Sequence, residues 1–250
     1  VADFSRDGLV DLFITNDYNE SNNLYIQDQS GLFTDVAIRY GLSDLSIPMV
    51  GFGAKAIDFD RNVCLDLAVA NGHIFDTRMY GKEKFFQMPP QMLMSTGRKF
   101  ELTEVEDRSG YWSQMHLGRA MTIIDFDCDG SMDLLVGHLD KPVAVLRNET
   151  TTPGNGIQFE LIGTRCERDA IGARVVVQSQ GEAFTQWVTA GDGYLSSDEP
   201  VLDFGLGVSD SPVRVEVHWP GGGRQEFVDL QPGRRYLLVQ GEEAAYERVR

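Results

Sequence analysis

The sequence predicts an all-β protein: a partial β-propeller of about three blades over residues 1–149, a linker at 150–156, and a small β-sandwich or barrel over 157–241. Three features lead to this reading. A nine-residue acidic loop occurs three times, and each copy runs straight into a short apolar segment. A Gly-x-Phe segment recurs 25 residues before the second and third copies. The 26 glycines punctuate short β-branched and aromatic runs, and helical periodicity is only scattered.

The first loop is Asp3-Phe4-Ser5-Arg6-Asp7-Gly8-Leu9-Val10-Asp11, leading into Leu12-Phe13-Ile14. The second is Asp58-Phe59-Asp60-Arg61-Asn62-Val63-Cys64-Leu65-Asp66, leading into Leu67-Ala68-Val69-Ala70. The third is Asp125-Phe126-Asp127-Cys128-Asp129-Gly130-Ser131-Met132-Asp133, leading into Leu134-Leu135-Val136. Oxygen-bearing side chains fall at loop positions 1, 3, 5 and 9. The loop starts are 55 and 67 residues apart, and the recurring segments at Phe33 and Phe100 place the excess between Asn71 and Pro90, between a loop and its Gly-x-Phe segment. About 55 residues per unit suits one four-stranded blade. After Thr150 the acidic loop no longer recurs, and short β-rich runs at 159–164, 173–178, 184–189, 213–219 and 235–239 suggest an independent β-domain.

The loop spacing suits Ca²⁺, a hard cation that takes 6–8 oxygens at about 2.3–2.6 Å. Alternate residues of a tight loop turn carboxylates inward, and a backbone carbonyl near position 7 adds a ligand. An EF-hand needs a bidentate Glu at position 12, and Ile14, Val69 and Val136 stand there. The expected ligands are Asp3, Ser5, Asp7, Leu9 and Asp11; Asp58, Asp60, Asn62, Cys64 and Asp66; and Asp125, Asp127, Asp129, Ser131 and Asp133, with Leu9, Cys64 and Ser131 acting through backbone carbonyls and Ser5 directly or through water. Up to three Ca²⁺ ions follow. The second site is expected to be weaker than the third, because Val63 occupies the position that wants a glycine and Asn62 replaces an Asp; Ser5 softens the first.

These loops resemble FG-GAP/VCBS repeats, the calcium-binding blades also found in integrin α-subunit propellers. Val69-Ala70-Asn71-Gly72-His73 and Leu146-Arg147-Asn148 resemble the subgroup related to cartilage acidic protein, in which an ASPIC/UnbV domain follows the propeller. The second half is similar to that domain in four ordered segments: Arg168-Asp169-Ala170-Ile171-Gly172-Ala173-Arg174, Gly191-Asp192-Gly193-Tyr194-Leu195-Ser196, Phe204-Gly205-Leu206-Gly207, and Val215-Glu216-Val217-His218-Trp219-Pro220-Gly221-Gly222. Asp203 departs from the family, which usually carries His there. The resemblance implies a fold and a context but no reaction. Taken as residues, Tyr194 reads as core, Trp219-Pro220 as a strand end entering a turn, and Arg168, Asp169 and Arg174 as a structural ion-pair and hydrogen-bond cluster.

Composition narrows the function. The formal charge of −16 and the surplus of 38 acidic over 22 basic residues disfavour nucleic acid and anionic lipid as partners and favour metal cations. No apolar stretch approaches the roughly 18 residues that span a bilayer. Cys64, Cys128 and Cys166 lack zinc-site spacing, and a Cys64–Cys128 disulfide is not expected. No GxSxG, HExxH or P-loop is present, and Gly51-Phe52-Gly53-Ala54-Lys55-Ala56 leads into an acidic loop and not into a nucleotide-binding helix. Of four scattered histidines, His73 is expected to be exposed in a turn-stabilising role. Asn19-Glu20-Ser21 and Asn148-Glu149-Thr150 are sequons.

The resulting expectation is a non-enzymatic, calcium-binding protein of the extracellular space, periplasm or cell surface, acting in protein or glycan recognition and adhesion. One alternative is a hydrolase or lyase with a site between propeller and β-domain, where Arg168, Asp169 and Tyr194 would meet. The other is a scaffold subunit completed by further blades: three cannot close a ring that typically uses 4–8, so a longer polypeptide with upstream blades and an export signal is expected.

Overall fold

A computed structural model describes residues 1–76, 86–151 and 153–248. The middle of the expected insertion, residues 77–85, lies outside the described residues. Over the described residues the chain is all-β, with five sheets, one short α-helix (Leu42–Ser46) and a 3-10 turn (Tyr111–Ser113).

The first three sheets repeat one plan. Sheet one comprises β1 (Leu12–Ile14), β2 (Asn23–Gln27) and β3 (Phe33–Asp35) in that order. Sheet two runs β4 (Gly51–Ile57), β5 (Asp66–Asn71), β6 (Gln91–Ser95) and β7 (Phe100–Leu102), and sheet three runs β8 (Gly118–Ile124), β9 (Asp133–His138) and β10 (Ala144–Leu146). Neighbouring strands are antiparallel. The second acidic loop joins β4 to β5 and the third joins β8 to β9, while the first leads into β1, so β1, β5 and β9 are equivalent. Gly51–Ala56 is thus part of a strand.

Successive sheets stack face to face, in the manner of propeller blades. Strand β5 is buried along its whole length. Because side chains alternate across a strand, Leu67 and Val69 enter a cluster with Leu24, Leu93 and Phe100, while Ala68 and Ala70 enter another with Met121, Leu134 and Val136. Small residues on that second face let sheet three approach. A Cβ on Gly53 of β4 would come within 2.6 Å of the Arg119 carbonyl oxygen on β8, so the glycine permits this contact.

The second half contains two four-stranded sheets. One has the order β14 (Leu202–Gly207), β11 (Asn155–Ile162), β17 (Arg235–Val239), β18 (Ala245–Arg248); the other β13 (Glu182–Trp187), β12 (Arg174–Ser179), β15 (Val213–His218), β16 (Arg224–Leu230). Only the β11–β17 pair is parallel. Both sheets contribute to one core of Phe159, Val175, Val177, Phe204, Val215, Val217, Trp219 and Leu238. Strand β11 starts at Asn155, so the stretch 150–156 is not linker throughout. Strands β14, β16 and β18 were not among the expected runs.

Several expected local roles are visible. Trp219 donates its N–H to the Gly223 carbonyl at 3.0 Å across the glycine turn, and its indole N–H to Gln225 at 3.1 Å. His73 Nδ1 accepts the Phe75 N–H at 3.0 Å, a turn bond. The expected Arg168, Asp169 and Arg174 cluster does not form among the described residues: Arg174 sits 3.1 Å from His218, which contacts Glu216, and the Asp169 N–H bonds Glu167. Tyr194 is not core: its side chain is exposed and packs edge-on against Phe52 at 5.0 Å between centroids. The GDGYL turn is bonded to sheet two by other groups, which satisfy a buried lysine instead. Cys64, Cys128 and Cys166 are free thiols.

Candidate metal centres

The three acidic loops share one internal hydrogen-bond plan. The position 1 carboxylate accepts N–H groups from across the turn: Asp3 from Asp7 and Gly8, Asp58 from Asn62 and Val63, and Asp125 from Gly130. The position 5 side chain accepts the position 7 N–H, as Asp7 does from Leu9, Asn62 from Cys64 and Asp129 from Ser131. The position 9 carboxylate ties the loop to the end of the neighbouring strand of its sheet. Asp11 takes the Gln27 N–H at 3.0 Å, Asp66 that of Ser95 at 2.7 Å, and Asp133 that of Asn148 at 2.7 Å.

Backbone conformation is equally repetitive. Position 4 is left-handed in Arg6 (φ 58°), Arg61 (φ 56°) and Cys128 (φ 59°), and position 6 in Gly8 (φ 81°), Val63 (φ 71°) and Gly130 (φ 91°). Val63 carries the strain expected of a β-branched residue there.

These bonds hold the turns with or without an ion. What points to a cation is convergence of the carboxylates. Oxygens of Asp58, Asp60 and Asp66 lie within 4.8 Å of one another, and so do those of Asp125, Asp127 and Asp133. Two ligands of an ion bound at about 2.4 Å are at most about 4.8 Å apart, so both sets fit one ion of calcium's size. The first loop forms no such group among the described residues: position 3 is Ser5, whose buried Oγ makes no well-formed hydrogen bond, and Asp7 is exposed. Two triads therefore stand where up to three sites were expected. Asn62 and Asp129 lie outside the triads and hold the turns, as do the N–H groups of Leu9, Cys64 and Ser131.

Burial without a cation is unfavourable for these carboxylates. It pushes Asp58 up to about 8, Asp66 to about 7 and Asp3 to about 6, with the loop N–H bonds working in the opposite direction. Asp11 and Asp133 are raised for the same reason. Asp129 differs: partial burial works upward, but bonds from Ser131 and Arg147 outweigh it and leave the group lowered.

Two residues without any obvious motif complete the sites. Arg147 places Nε 2.5 Å from Asp127 and Nη2 3.2 Å from Asp129, so a guanidinium already neutralises part of the third loop. Asn148 donates its N–H to Asp133 and its side-chain amide to the Phe59 carbonyl at 3.0 Å, joining the third loop to the second. The Leu146-Arg147-Asn148 segment was the signal that could have found both.

A cavity of about 170 Å³ lies beside the loops, at the seam with the second half; Asp3, Asp58, Asp169, Asp198 and Asp203 are among its lining residues. Tyr194 borders a different groove, so Asp169 and Tyr194 do not meet in one cavity. No helix among the described residues is long and apolar enough to cross a membrane.

Comparison with known proteins agrees with this architecture. The family described as ASPIC and UnbV matches residues 163–245. Cartilage acidic protein 1 of Mus musculus is 29% identical over 238 residues, covering 89% of this chain and 33% of that protein. The Homo sapiens protein of the same name is 29% identical (89% and 32% covered), and that of Xenopus tropicalis 27% (89% and 33%). The chain spans about a third of the length of the curated relatives it matches. Acidic loops set between stacked sheets fit the FG-GAP pattern. Residues 163–245 thus resemble the ASPIC and UnbV family, and the chain as a whole is similar to cartilage acidic protein 1.

Proposed function

We propose that this chain is a non-catalytic, calcium-binding recognition module of the extracellular space or cell envelope, built as about three propeller blades followed by a β-domain. Calcium at Asp58/Asp60/Asp66 and at Asp125/Asp127/Asp133 crosslinks each loop to the strands it joins and so fixes blade geometry for protein or glycan contact. The observation that carries this reading is the convergence of two carboxylate triads to within 4.8 Å. Relatives named for cartilage support an extracellular setting. The ions supply charge neutralisation and a rigid crosslink; the chain supplies the oxygen donors and, through the position 9 bonds, the connection to the neighbouring strand.

Calorimetric titration and thermal melting with calcium or chelator test the proposal. Calcium uptake with two sites and a higher melting temperature is expected. Absence of any calcium effect at millimolar concentration would sink it.

A further inference from the structure

The second acidic loop is the one least able to hold its own shape and the one most tightly held from outside. Asn62 replaces a carboxylate in it and Val63 stands at φ 71°. The start of β11 and strand β14 close over it. A Cβ on Gly205 would lie 1.9 Å from Asp58 Oδ2, one on Gly154 would lie 2.1 Å from the Arg61 carbonyl oxygen, and one on Gly156 would lie 2.6 Å from Arg61 Nε. These glycines are what let the loop backbone and the Asp58 carboxylate touch β11 and β14.

Directional bonds accompany the close fit. Gly154 donates its N–H to the Asp60 carbonyl at 2.8 Å, and Gly207 donates to the Arg61 carbonyl at 3.1 Å. Arg61 Nη2 donates to Asp203 Oδ1 at 3.0 Å and to the Gly130 carbonyl of the third loop at 2.5 Å. Gln158 Nε2 reaches that same Gly130 carbonyl at 3.0 Å. The first loop, in contrast, meets the second half through an exposed Arg6–Glu182 pair at 3.6 Å and ordinary contact at Gly8.

The geometry points to a role for the Phe204–Gly207 motif and for Gly154–Gln158: they form a docking surface for the 58–66 loop, so that cation binding in this loop and seating of the C-terminal sheets are one linked equilibrium. This rests on the calcium reading above. A cation that needs Asp58, Asp60 and Asp66 in convergent positions binds the docked loop better than a released one. By linkage it strengthens docking by the same factor. Arg61 acts as a positioning residue, its charge balanced by Asp203, and passes the coupling on to Gly130 in the third loop.

The test uses the full chain with Asp127→Ala, which disables the third loop, and calcium alone as the probe. Calcium affinity is measured by calorimetry, and amide hydrogen exchange at 58–66 and 202–207 is followed with calcium or chelator. Calcium is expected to slow exchange at 202–207 at least tenfold, and Gly205→Ala to weaken calcium binding at least tenfold. Asp203→Asn, which keeps the side-chain shape and so guards against misfolding, is expected to weaken it several-fold. Protected amides in β12 and β15 show that the second half remains folded. Calcium that protects 58–66 yet leaves 202–207 unchanged, or wild-type affinity in both variants, overturns the linkage and spares the calcium reading. No calcium uptake by the parent chain overturns both.

Discussion

Buried carboxylates make the calcium-free protein more stable in mild acid, the reverse of the usual behaviour of ion-paired acids. Asp58 is raised to about 8 and Asp66 to about 7, chiefly by burial. A carboxyl group whose pKa is raised on folding contributes stability that is fully present below its unfolded value of about 3.9 and is lost as pH rises through the folded value. For these two groups the loss begins above about pH 4 and is complete near pH 7 to 8, so the interval from pH 6 to 8 carries its upper part. At about 1.4 kcal/mol per proton per pH unit, one to two protons held by the folded state are worth about 2–4 kcal/mol across that interval. In a chain of this size that moves the melting temperature by about 5–15 °C. His116 works in the opposite direction: burial lowers it, so its contribution is present above its unfolded value near 6.5 and fades at lower pH. The clean comparison is therefore pH 6.5 against pH 8. Melting curves in chelator should show a higher melting temperature at pH 6.5, and in saturating calcium the order should reverse, because the ion requires the ionised carboxylates. A chelated protein whose melting temperature rises from pH 6.5 to 8 would refute the reasoning.

Other expected outcomes concern single side chains. Arg147→Ala, in an Asp60→Ala background that leaves only the third loop competent, should tighten calcium binding by calorimetry, because a competing guanidinium leaves Asp127 and Asp129. Val63→Gly should stabilise the calcium-free chain by about 1 kcal/mol in urea unfolding, since a left-handed β-branched residue costs about 1–3 kcal/mol and glycine returns part of that as entropy. Asn148→Ala should cost about 1 kcal/mol by the same measurement, through loss of its bond to the Phe59 carbonyl. Tyr111→Phe should cost a similar amount, because the Tyr111 hydroxyl lies 2.9 Å from His138 Nε2, whose Nδ1 bonds the Pro142 carbonyl.

The acidic loops were legible because side-chain chemistry sits at fixed spacing in them, and the strand after each loop was legible as an unbroken apolar run. The Val63 strain was legible because glycine occupies the equivalent position in the other two copies. The left-handed position 4 was not: Arg6, Arg61 and Cys128 share nothing that favours that conformation. The neighbouring-strand anchors were equally silent, because Gln27 and Ser95 act through backbone N–H groups that every residue but proline has. Strand β14 escaped notice because Asp203, Gly205 and Gly207 interrupt its apolar pattern, and the glycines are there for contact with the second loop. Strand β16, mostly polar and exposed, carries too little alternation to be read. The shortfall in the first loop was foreshadowed by Ser5, though only the convergence distances show that one missing carboxylate removes the triad.

Nor does the molecule treat its two halves as separate bodies. Lys55 on β4, fully buried, donates to the Asp192 carbonyl at 2.6 Å and to Asp198 at 2.8 Å, and Asp198 in turn accepts the Ile123 N–H at 2.8 Å. Glu199 accepts the Asp125 N–H at 2.9 Å at the entrance to the third loop. A buried ammonium is tolerable only with such partners, so the segment around Gly191–Ser196 is needed to make sheet two's own lysine stable. The same logic explains Asp203. Arg61 is largely buried where the second loop meets β14, and its guanidinium needs a negative counterpart. Asp203 is that counterpart, 3.0 Å away and itself buried. Asp203 and the arginine in the second loop are therefore two ends of one contact, placed beside the loop in which Asn62 and Val63 stand where the other two carry Asp and Gly.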